Sequence, residues 1–191
     1  MISNCYFNGK IIVTGSKDNE KYIGGICSGA TEIRNCYNLG KIEVRTEENS
    51  IGKTTYIGGI SYGTNNINNC FNIGEIECYN PHSCVGGIGA NEQSGNIVNC
   101  YNVGNLTLEG ENKIYGSLVG VGKNLTIENS KWLIGTAPSS VGNNLGDVTD
   151  NSESVDDLEK IISVLEVING ERAFKEDTNN INNGYPILSW E

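Results

Sequence analysis

One short motif recurs along the chain and limits its possible folds more than any other feature of the sequence. The chain opens with ISNCYFNGKI, and close variants follow as IRNCYNLGKI from Ile33, INNCFNIGEI from Ile67 and IVNCYNVGNL from Ile97. A degraded fifth copy, IENSKWLIG, begins at Ile127. The cysteine position of the motif therefore recurs every 30 to 34 residues, at Cys5, Cys36, Cys70, Cys100 and, in the last copy, Ser130. A period of this length is typical of stacked repeat architectures.

Each repeat contains two further strand-like runs after the motif. The first resembles KIEVRT, from Lys41, and the second is glycine-rich, as in YIGGISYG from Tyr56. Aligned copies of the first run place apolar residues in two alternate columns, one formed by Ile11, Ile42, Ile76 and Leu106 and the other by Val13, Val44, Cys78 and Leu108. This period of two predicts β-strands with one face turned inward.

A unit of about 30 residues with three short strands cannot bury its apolar face alone, but it can do so by stacking on its neighbours. We therefore predict an all-β fold, a right-handed parallel β-helix (β-solenoid) of about four to five rungs of ~30 residues. Every side chain in such a stack lies over its equivalents in the adjacent rungs. Because asparagine tolerates left-handed turns, we expect amide ladders at the corners, formed by Asn4, Asn35, Asn69, Asn99 and Asn129 and by Asn38, Asn72 and Asn102.

The C-terminal part of the chain has a different pattern. The repeats account for residues 1–148, and we expect residues 149–191 to form a cap. Ser154 is followed three residues later by Asp157, as in a capping box, and apolar residues recur behind them at helical spacing. This pattern predicts an amphipathic capping helix over about 154–169, which covers the open end of the last rung.

Both ends of the chain carry further signals. The closing NNGYPILSW predicts a turn and then a final strand at about 185–190, with Pro186 close to the strand start. At the other end, the sequence begins inside a repeat, at MISNCY, without a basic-then-apolar signal segment. We therefore expect the chain to be a fragment of a larger secreted protein.

Composition excludes two classes of partner. The formal net charge is −10, whereas nucleic-acid binding needs clustered Lys and Arg, so we expect no nucleic-acid partner. No stretch of the sequence approaches the ~18–20 apolar residues of a membrane span, so we expect no membrane insertion. The acidity itself favours a soluble monomer.

The cysteines could be metal ligands, nucleophiles or core residues. A ladder places thiols in a line one rung apart, whereas zinc sites need close pairs arranged as a tetrahedron. Cys78 shares its column with Val and Leu, which indicates a small buried hydrophobe. We predict structural thiols, and a Cys78–Cys84 disulfide stays open as a minor alternative. His82 is the only histidine, so an imidazole cluster is excluded, and we predict no metal and no cofactor.

Acidic side chains on the outward face are the candidates for acid–base chemistry. Glu43 and Glu77 occupy one outward column, with Glu75, Lys41 and Arg45 beside them. This mixture of charges is typical of a solvated, neutralised face. A polysaccharide lyase or hydrolase would need these carboxylates to converge with a cation on one sheet face. We predict no catalytic residues.

An aromatic column next to the cysteines is the candidate binding surface. If the cysteines point inward, the rings of Tyr37, Phe71 and Tyr101 form an outward stripe, one rung apart, that could stack on sugar rings or contact a protein partner. If the corner turns the rings inward, they are core residues. The sequence leaves both facings open.

The motifs resemble a known family of repeats. The pattern I-x-N-C-[YF]-N-x-G-x-[IL], alternating with G-G-[IL]-x-x-G, resembles the GLUG-motif repeats of bacterial cell-surface proteins over roughly residues 1–135. GSLVG, Gly116 to Gly120, is the nearest copy of the glycine-leucine-any-glycine core. The ending AFKEDTNNINNGYPILSWE resembles the segment that follows such repeats in secreted proteins of Gram-positive bacteria. The resemblance implies an exported or surface-associated β-solenoid, sometimes beside adhesin or peptidase domains, and supplies no catalytic residues.

The sequence as a whole predicts a non-catalytic extracellular or cell-surface module, a structural stalk or adhesion domain. Its expected partner is a host or cell-wall glycan or a surface protein. Two alternatives are a carbohydrate-active β-helix enzyme, either a polysaccharide lyase or a hydrolase, and a glycan-binding module that uses the aromatic stripe.

Overall fold

The structure, a computed structural model, describes residues 1–15, 19–46, 53–156 and 172–191. These ranges contain strands and turns but no helix, and hence no helix long and apolar enough to cross a bilayer. The strands stack in parallel as a β-solenoid of about four turns, which confirms the predicted all-β fold.

Successive turns of the solenoid repeat the same order of four strands, and the third and fourth turns add a fifth strand. The first turn contains β1 (Ile2–Ser3), β2 (Tyr6–Phe7), β3 (Lys10–Gly15) and β4 (Lys21–Gly24). The second contains β5 (Ala30–Arg34), β6 (Tyr37–Asn38), β7 (Lys41–Thr46) and β8 (Thr55–Gly58). The third contains β9 (Thr64–Asn68), β10 (Phe71–Asn72), β11 (Ile76–Cys78), β12 (His82–Gly86) and β13 (Gly89–Glu92). The fourth contains β14 (Gly95–Val98), β15 (Tyr101–Asn102), β16 (Leu106–Leu108), β17 (Asn112–Gly116) and β18 (Val119–Gly122).

The remaining described strands complete the stack and add a small hairpin. The last strands of the stack are β19 (Leu125–Glu128), β20 (Lys131–Leu133), β21 (Val141–Asn144), β22 (Val148–Asp150) and β23 (Glu153–Val155). The C-terminal pair consists of β24 (Phe174–Lys175) and β25 (Ile187–Leu188), which are antiparallel. Parallel pairing therefore continues beyond residue 148, since β22 pairs with β19 and β23 with β20.

Equivalent strands pair in register from turn to turn. Two sheets run the length of the stack, in the orders β1-β5-β9-β14-β19-β22 and β2-β6-β10-β15-β20-β23. Three shorter sheets have the orders β3-β7-β11-β16, β4-β8-β12-β17 and β13-β18-β21. In the first five strands of the first sheet one column holds isoleucine, with each residue opposite the next, at Ile2, Ile33, Ile67, Ile97 and Ile127, and in β22 the column ends at Asp150.

The interior contains two apolar clusters. One holds the isoleucine column together with the motif cysteines Cys36, Cys70 and Cys100, each fully buried. The other holds the two alternating columns of the second run, among them Ile42 and Val44. The inward row predicted from the period of two is therefore confirmed.

Asparagine ladders form at two corners, as predicted. At the first corner each side-chain Nδ2 donates to the Oδ1 one turn earlier, at 2.8–3.2 Å, along Asn4, Asn35, Asn69, Asn99 and Asn129. All five have φ between 43° and 55°, a left-handed conformation that asparagine tolerates better than most residues. At the second corner Asn38 donates to Asn72 and Asn72 to Asn102, both at 2.8 Å.

The predicted capping helix is wrong at its start, the part that lies within the described residues. Ser154 and Val155 lie in β23, paired in parallel with β20, and do not begin a helix. The exposed edge of β20 offers backbone hydrogen bonds to this stretch, and this pairing overrides the local helical pattern. The rest of the predicted helix, 157–169, lies outside the described residues. The final strand is confirmed but shorter, as β25.

Candidate functional site

The aromatic ladder, defined as Tyr6, Tyr37, Phe71 and Tyr101, stacks ring on ring along one corner of the solenoid. Its backbone positions are in register from turn to turn. The ring centroids lie 5.2, 4.7 and 4.8 Å apart, and neighbouring planes differ by only 9°, 5° and 3°. The spacing follows that of the strands, because each ring lies over its equivalent in the next turn.

The ladder lies on the outer side of the wall. The cysteine before each ring in turns two to four packs in the interior with Ile33. The rings of Tyr37, Phe71 and Tyr101 form a separate apolar cluster. Neighbouring residues of an extended chain point to opposite sides, so an inward cysteine requires an outward ring.

The C-terminal segment, residues 172–191, covers this outer cluster. The ring of Phe174 lies 6.2 Å from the Phe71 centroid and 5.6 Å from that of Tyr101. The Trp190 ring lies 6.0 Å from that of Tyr37. Phe71 and Tyr101 are consequently fully buried, and Tyr37 is only 6% exposed.

Polar contacts fix the same segment to Tyr101. The phenol of Tyr101 donates a hydrogen bond to the Pro186 carbonyl oxygen at 2.5 Å and accepts one from Asn182 Nδ2 at 3.3 Å. Burial raises the pKa of Tyr101 well above its usual value. The hydroxyl is therefore neutral and acts as a tether between the ladder and the segment.

The structure thus brings together Tyr37, Phe71 and Tyr101 but places them beneath the C-terminal segment. Tyr6, at the end of the ladder, is 61% exposed. Ligand binding by the three covered rings stays a prediction, and it requires the C-terminal segment to leave. The sequence could not show this cover, because the contact joins residues about a hundred positions apart.

The Lys41 side of the acidic patch is ion-paired. Lys41 Nζ lies 2.5 Å from Glu77 Oε1 and 3.0 Å from Glu75 Oε2. These contacts raise the pKa of Lys41, and Lys41 in turn lowers the pKa of Glu77. Lys41 therefore stays cationic and Glu77 ionised at neutral pH.

Glu43, in the same column, is paired in the same way. Its carboxylate lies 2.8 Å from Lys10 Nζ and 2.5 Å from Arg45 Nε, and the Arg45 guanidinium lies 4.0 Å from the Tyr79 ring centroid. Lys10 and then Arg45 lower the pKa of Glu43 to about 2. This carboxylate cannot serve as a general acid near neutral pH, and its lone pairs are used by neighbouring cations.

A second aromatic group, which the sequence analysis did not single out, lies on another face. The tyrosine cluster, Tyr22, Tyr56 and Tyr62, has centroid separations of 4.5 to 5.7 Å. Tyr22 is 45% exposed, and its hydroxyl donates to the Glu20 carboxylate, which raises the pKa of Tyr22 to about 12. The available signal was the tyrosine that precedes IGG in two successive repeats.

The motif thiols form one file, as predicted. Each Sγ donates to the carbonyl oxygen two residues earlier, at 3.1–3.3 Å, in Cys5, Cys36, Cys70 and Cys100. Ser130 continues the file, since its Oγ accepts from the Cys100 backbone N–H at 3.1 Å. None of the seven cysteines, all of which are described, is in a disulfide. The described residues include no group of three His, Cys, Asp or Glu side chains arranged to hold a metal ion.

One carboxyl group is buried inside the solenoid wall. Glu92 has no exposed surface; its Oε2 accepts from the Thr64 backbone N–H at 2.9 Å, and its Oε1 has no partner. The Ser61 and Thr64 hydroxyls bond to each other, 2.6 Å apart. Burial raises the pKa of Glu92 to about 8. The group is sealed from solvent and cannot reach a substrate.

Comparison with known proteins extends the fold assignment. No protein-family model and no curated protein matches the chain. Among solved structures, the chain is similar to a putative immunoglobulin A1 protease from Bacteroides ovatus, with a TM-score of 0.69 and 21% sequence identity. The match covers 100% of this chain and 57% of the other, so the chain spans little more than half the length of that protein. At this identity the likeness shows a shared fold.

Proposed function

We propose that the chain is a non-catalytic module of an extracellular or cell-surface protein, a stalk or adhesion domain of GLUG-repeat type. The observation that carries this proposal is the in-register stack, which continues from β1 to β23 through paired backbones and paired asparagine side chains. A quasi-one-dimensional stack of this kind acts as a stiff spacer, because each turn is fixed by its neighbours.

The electrostatics support a module without catalysis. The candidate carboxylates Glu43 and Glu77 are ion-paired on the outer face, and the raised-pKa carboxyl of Glu92 is inaccessible. A lyase or hydrolase would need a free base and a cation that converge on an open groove. Because Glu43 and Glu77 are held in ion pairs, neither carboxylate is available as the free base that such chemistry would need.

An extracellular setting draws support from the neighbouring structure. The Bacteroides ovatus protein carries the name of a putative immunoglobulin A1 protease. The occurrence of this fold in a protein of that name supports a presenting or docking role for the repeats, with a host or cell-wall glycan or a surface protein as partner. The GLUG-like repeats support the same assignment.

Turnover assays test the absence of catalysis. The chain should neither cleave immunoglobulin A1 nor release reducing ends or unsaturated products from a panel of plant, host and bacterial polysaccharides. Turnover by the wild type that is lost in a Glu43→Gln/Glu77→Gln double variant would overturn the proposal in favour of the enzyme. The fold of that variant is verified by circular dichroism.

Glycan binding is a second candidate function, and the exposed tyrosine cluster favours it. Its rings combine flat apolar faces with hydroxyls, and Tyr22 is accessible. A glycan array probed with the wild type and with a Tyr22→Ala/Tyr62→Ala variant tests this role, with Tyr6→Ala as the matched control at the other exposed ring. Binding lost only in the double variant supports the cluster, and equal binding by the wild type and both variants rejects it.

A further inference from the structure

Two columns of apolar side chains lie side by side on the outside of turns two to four. One column is the covered part of the aromatic ladder, and the other follows two residues later in each turn. We call the two columns together the acceptor face, and its members are Tyr37, Phe71, Tyr101, Leu39, Ile73 and Val103. The buried asparagine ladder of the second corner runs between the columns, so the side chains on both sides of it point outward. Apolar patches of this kind mark sites of association.

The C-terminal segment, residues 172–191, covers this face without joining the sheets of the solenoid. Its strands β24 and β25 pair with each other in a sheet of their own. Among the described residues, every backbone–backbone hydrogen bond of the segment stays inside it, such as that from the Ser189 N–H to the Ala173 carbonyl oxygen at 2.9 Å. The solenoid contributes side chains to the contact, namely the ladder rings and the Tyr101 phenol. Release of the segment therefore breaks no sheet.

Contacts within the segment set its shape. The Asp177 carboxylate accepts hydrogen bonds from three backbone N–H groups between residues 181 and 184, at 2.6–3.1 Å. Phe174 and Leu188 are opposite each other in the β24–β25 pair and both pack on the acceptor face. Because the contacts that shape the segment do not involve the solenoid, the segment presents the same surface to any copy of the acceptor face.

The segment and the acceptor face both lose burial when they separate. In the docked segment Phe174 is 6% exposed and Leu188 has no exposed surface. Phe71 and Tyr101, on the acceptor face, have no exposed surface either. Release exposes all four side chains to water, so the hydrophobic effect returns a released segment to an acceptor face.

The chain between the stack and the segment is long enough to reach another molecule. Residues 157–171 connect Asp156 to Arg172, where the segment begins. A chain of this length spans at most about 50 Å, several times the height of ~15 Å over which three turns stack. The acceptor face of a neighbouring copy therefore lies within reach.

We propose that the acceptor face also binds the C-terminal segment of a second copy of this chain, so that two copies exchange segments and form a closed two-fold dimer. Each copy carries one segment and one face, so a mutual exchange leaves neither uncovered. This inference does not rest on the proposed stalk or adhesion function.

Concentration decides between the two arrangements. The contacts of the segment are the same within one copy and between copies, but a tethered segment has an effective concentration of the order of 1 mM at its own face. The monomer therefore prevails in dilute solution, and exchange competes as the protein concentration approaches that value. On a crowded surface, exchange links neighbouring molecules.

Two complementary variants test the exchange. The segment-defective variant, Phe174→Ala/Leu188→Ala, keeps its acceptor face, and the face-defective variant, Phe71→Ala/Tyr101→Ala, keeps its segment. Each alone should be a monomer by size-exclusion chromatography with light scattering. An equimolar mixture at about 0.5 mM of each should form a heterodimer, which native mass spectrometry identifies from the two different masses. Salt at ~0.15 M screens the repulsion between chains of formal net charge −10.

A matched control carries both defects in one chain. This fourfold variant has no segment that can dock, so its mixture with the segment-defective variant should stay monomeric. A complementary mixture that remains two monomers overturns the proposal, whether or not the segment-defective variant gains glycan binding. Dimerisation of the segment-defective variant alone also overturns it, because the face would then bind a second face and not a segment.

The wild type provides a test that needs no variant. Refolding from urea at about 0.5 mM should yield a dimer fraction, whereas refolding at ~5 μM should yield monomer alone, since the tethered segment then has no competitor. Unfolding the isolated dimer and refolding it at the lower concentration should return it to monomer. If the face-defective variant does not fold, this concentration dependence decides alone, and a wild type that is monomeric at both concentrations overturns the proposal.

Discussion

At the scale of single residues, the corner asparagines combine two roles. Their backbones adopt φ near 50°, and their amides bond to the turns on both sides, as at Asn69. A residue with a Cβ and no amide loses the bonds and retains the backbone strain. Glycine loses the bonds but relieves the strain. The two effects can therefore be separated by substitution.

Asn69→Ala should lower the free energy of unfolding by about 2–5 kcal/mol, from left-handed strain of ~1–2 kcal/mol and two hydrogen bonds of ~0.5–1.5 kcal/mol each. Asn69→Gly should recover about 1–2 kcal/mol of that loss. Urea unfolding provides the measurement. Asn4→Ala, at the exposed end of the ladder, is the control and should have a smaller effect. Equal destabilisation by Asn69→Ala and Asn69→Gly would contradict the role of backbone strain.

The second residue-scale feature is the buried carboxyl of Glu92. Its pKa rises from 4.5 to about 8 because burial disfavours the ionised form. The folded state therefore holds this proton up to about pH 8, whereas the unfolded state loses it near 4.5. Stability from this group is fully present below pH 4.5 and is lost as pH rises towards 8.

Glu92→Gln should remove this pH dependence, since a neutral amide of the same shape pays no ionisation penalty. The variant should match the wild type at pH 5 and exceed it at pH 8 by a few kcal/mol, on the order of 1.4 kcal/mol per pKa unit. Thermal unfolding between pH 5 and pH 8.5 measures the difference. Glu77→Gln, at an ion-paired surface site, should give a constant difference above pH 6. Parallel curves for wild type and Glu92→Gln would refute the buried-proton interpretation.

At the scale of elements, the C-terminal segment depends on the aromatic ladder. Its hairpin, β24 with β25, pairs only two residues on each side, and so short a hairpin is not stable alone in water. Its contacts with Phe71 and Tyr101 provide the missing apolar burial. The ladder in turn is shielded from solvent by the segment, so each element completes the other.

Tyr101→Phe should loosen this segment without unfolding the solenoid. The substitution leaves the buried Pro186 carbonyl oxygen without its phenol donor, which costs about 1–2 kcal/mol. A loss of this size corresponds to a factor of about 5–30 in local opening, measured as faster amide hydrogen exchange in 172–191. Tyr6→Phe, at an exposed ring, is the control. Exchange that accelerates equally in β9 and β14 would contradict a local tether.

Element boundaries show where the sequence misled. The apolar spacing after Ser154 predicted a helix, yet Ser154 and Val155 pair with β20. The spacing of apolar residues reflects only the preference of the segment in isolation. The free edge of a sheet provides backbone hydrogen-bond partners from another part of the chain, which this spacing does not show. The strand at Ile187–Leu188 was predictable because the proline and the apolar run mark it locally.

At the scale of the whole molecule, the chain is a one-dimensional stack. The two long sheets run from β1 to β22 and from β2 to β23, so a turn in the middle has two neighbours and the first turn has one. Stability in such an array is close to a sum of the turns and the interfaces between them. The position of a substitution along the stack should therefore determine its effect.

Ile67→Ala should lower the free energy of unfolding by about 2–5 kcal/mol, since Ile67 is fully buried between Ile33 and Ile97. Ile2→Ala, in the same column at the half-buried end, should cost less than about 1.5 kcal/mol, because the end of the stack has less apolar surface to lose. Urea unfolding of both variants measures the gradient. Equal losses at the two positions would contradict the one-dimensional account.

The sequence by itself determined the turn length, the in-register stacking, the inward rows and the asparagine ladders. Contacts between neighbouring turns join residues that lie one repeat length apart, and that repeat length is visible in the sequence. The cysteine file followed from the same rule. Only the tertiary structure decided what covers the aromatic ladder, that Glu92 is sealed in the wall, and that Ser154 joins a sheet. These contacts join segments that are not equivalent positions of the repeat. Their partners therefore depend on which side chains, strand edges and spaces the folded solenoid leaves available.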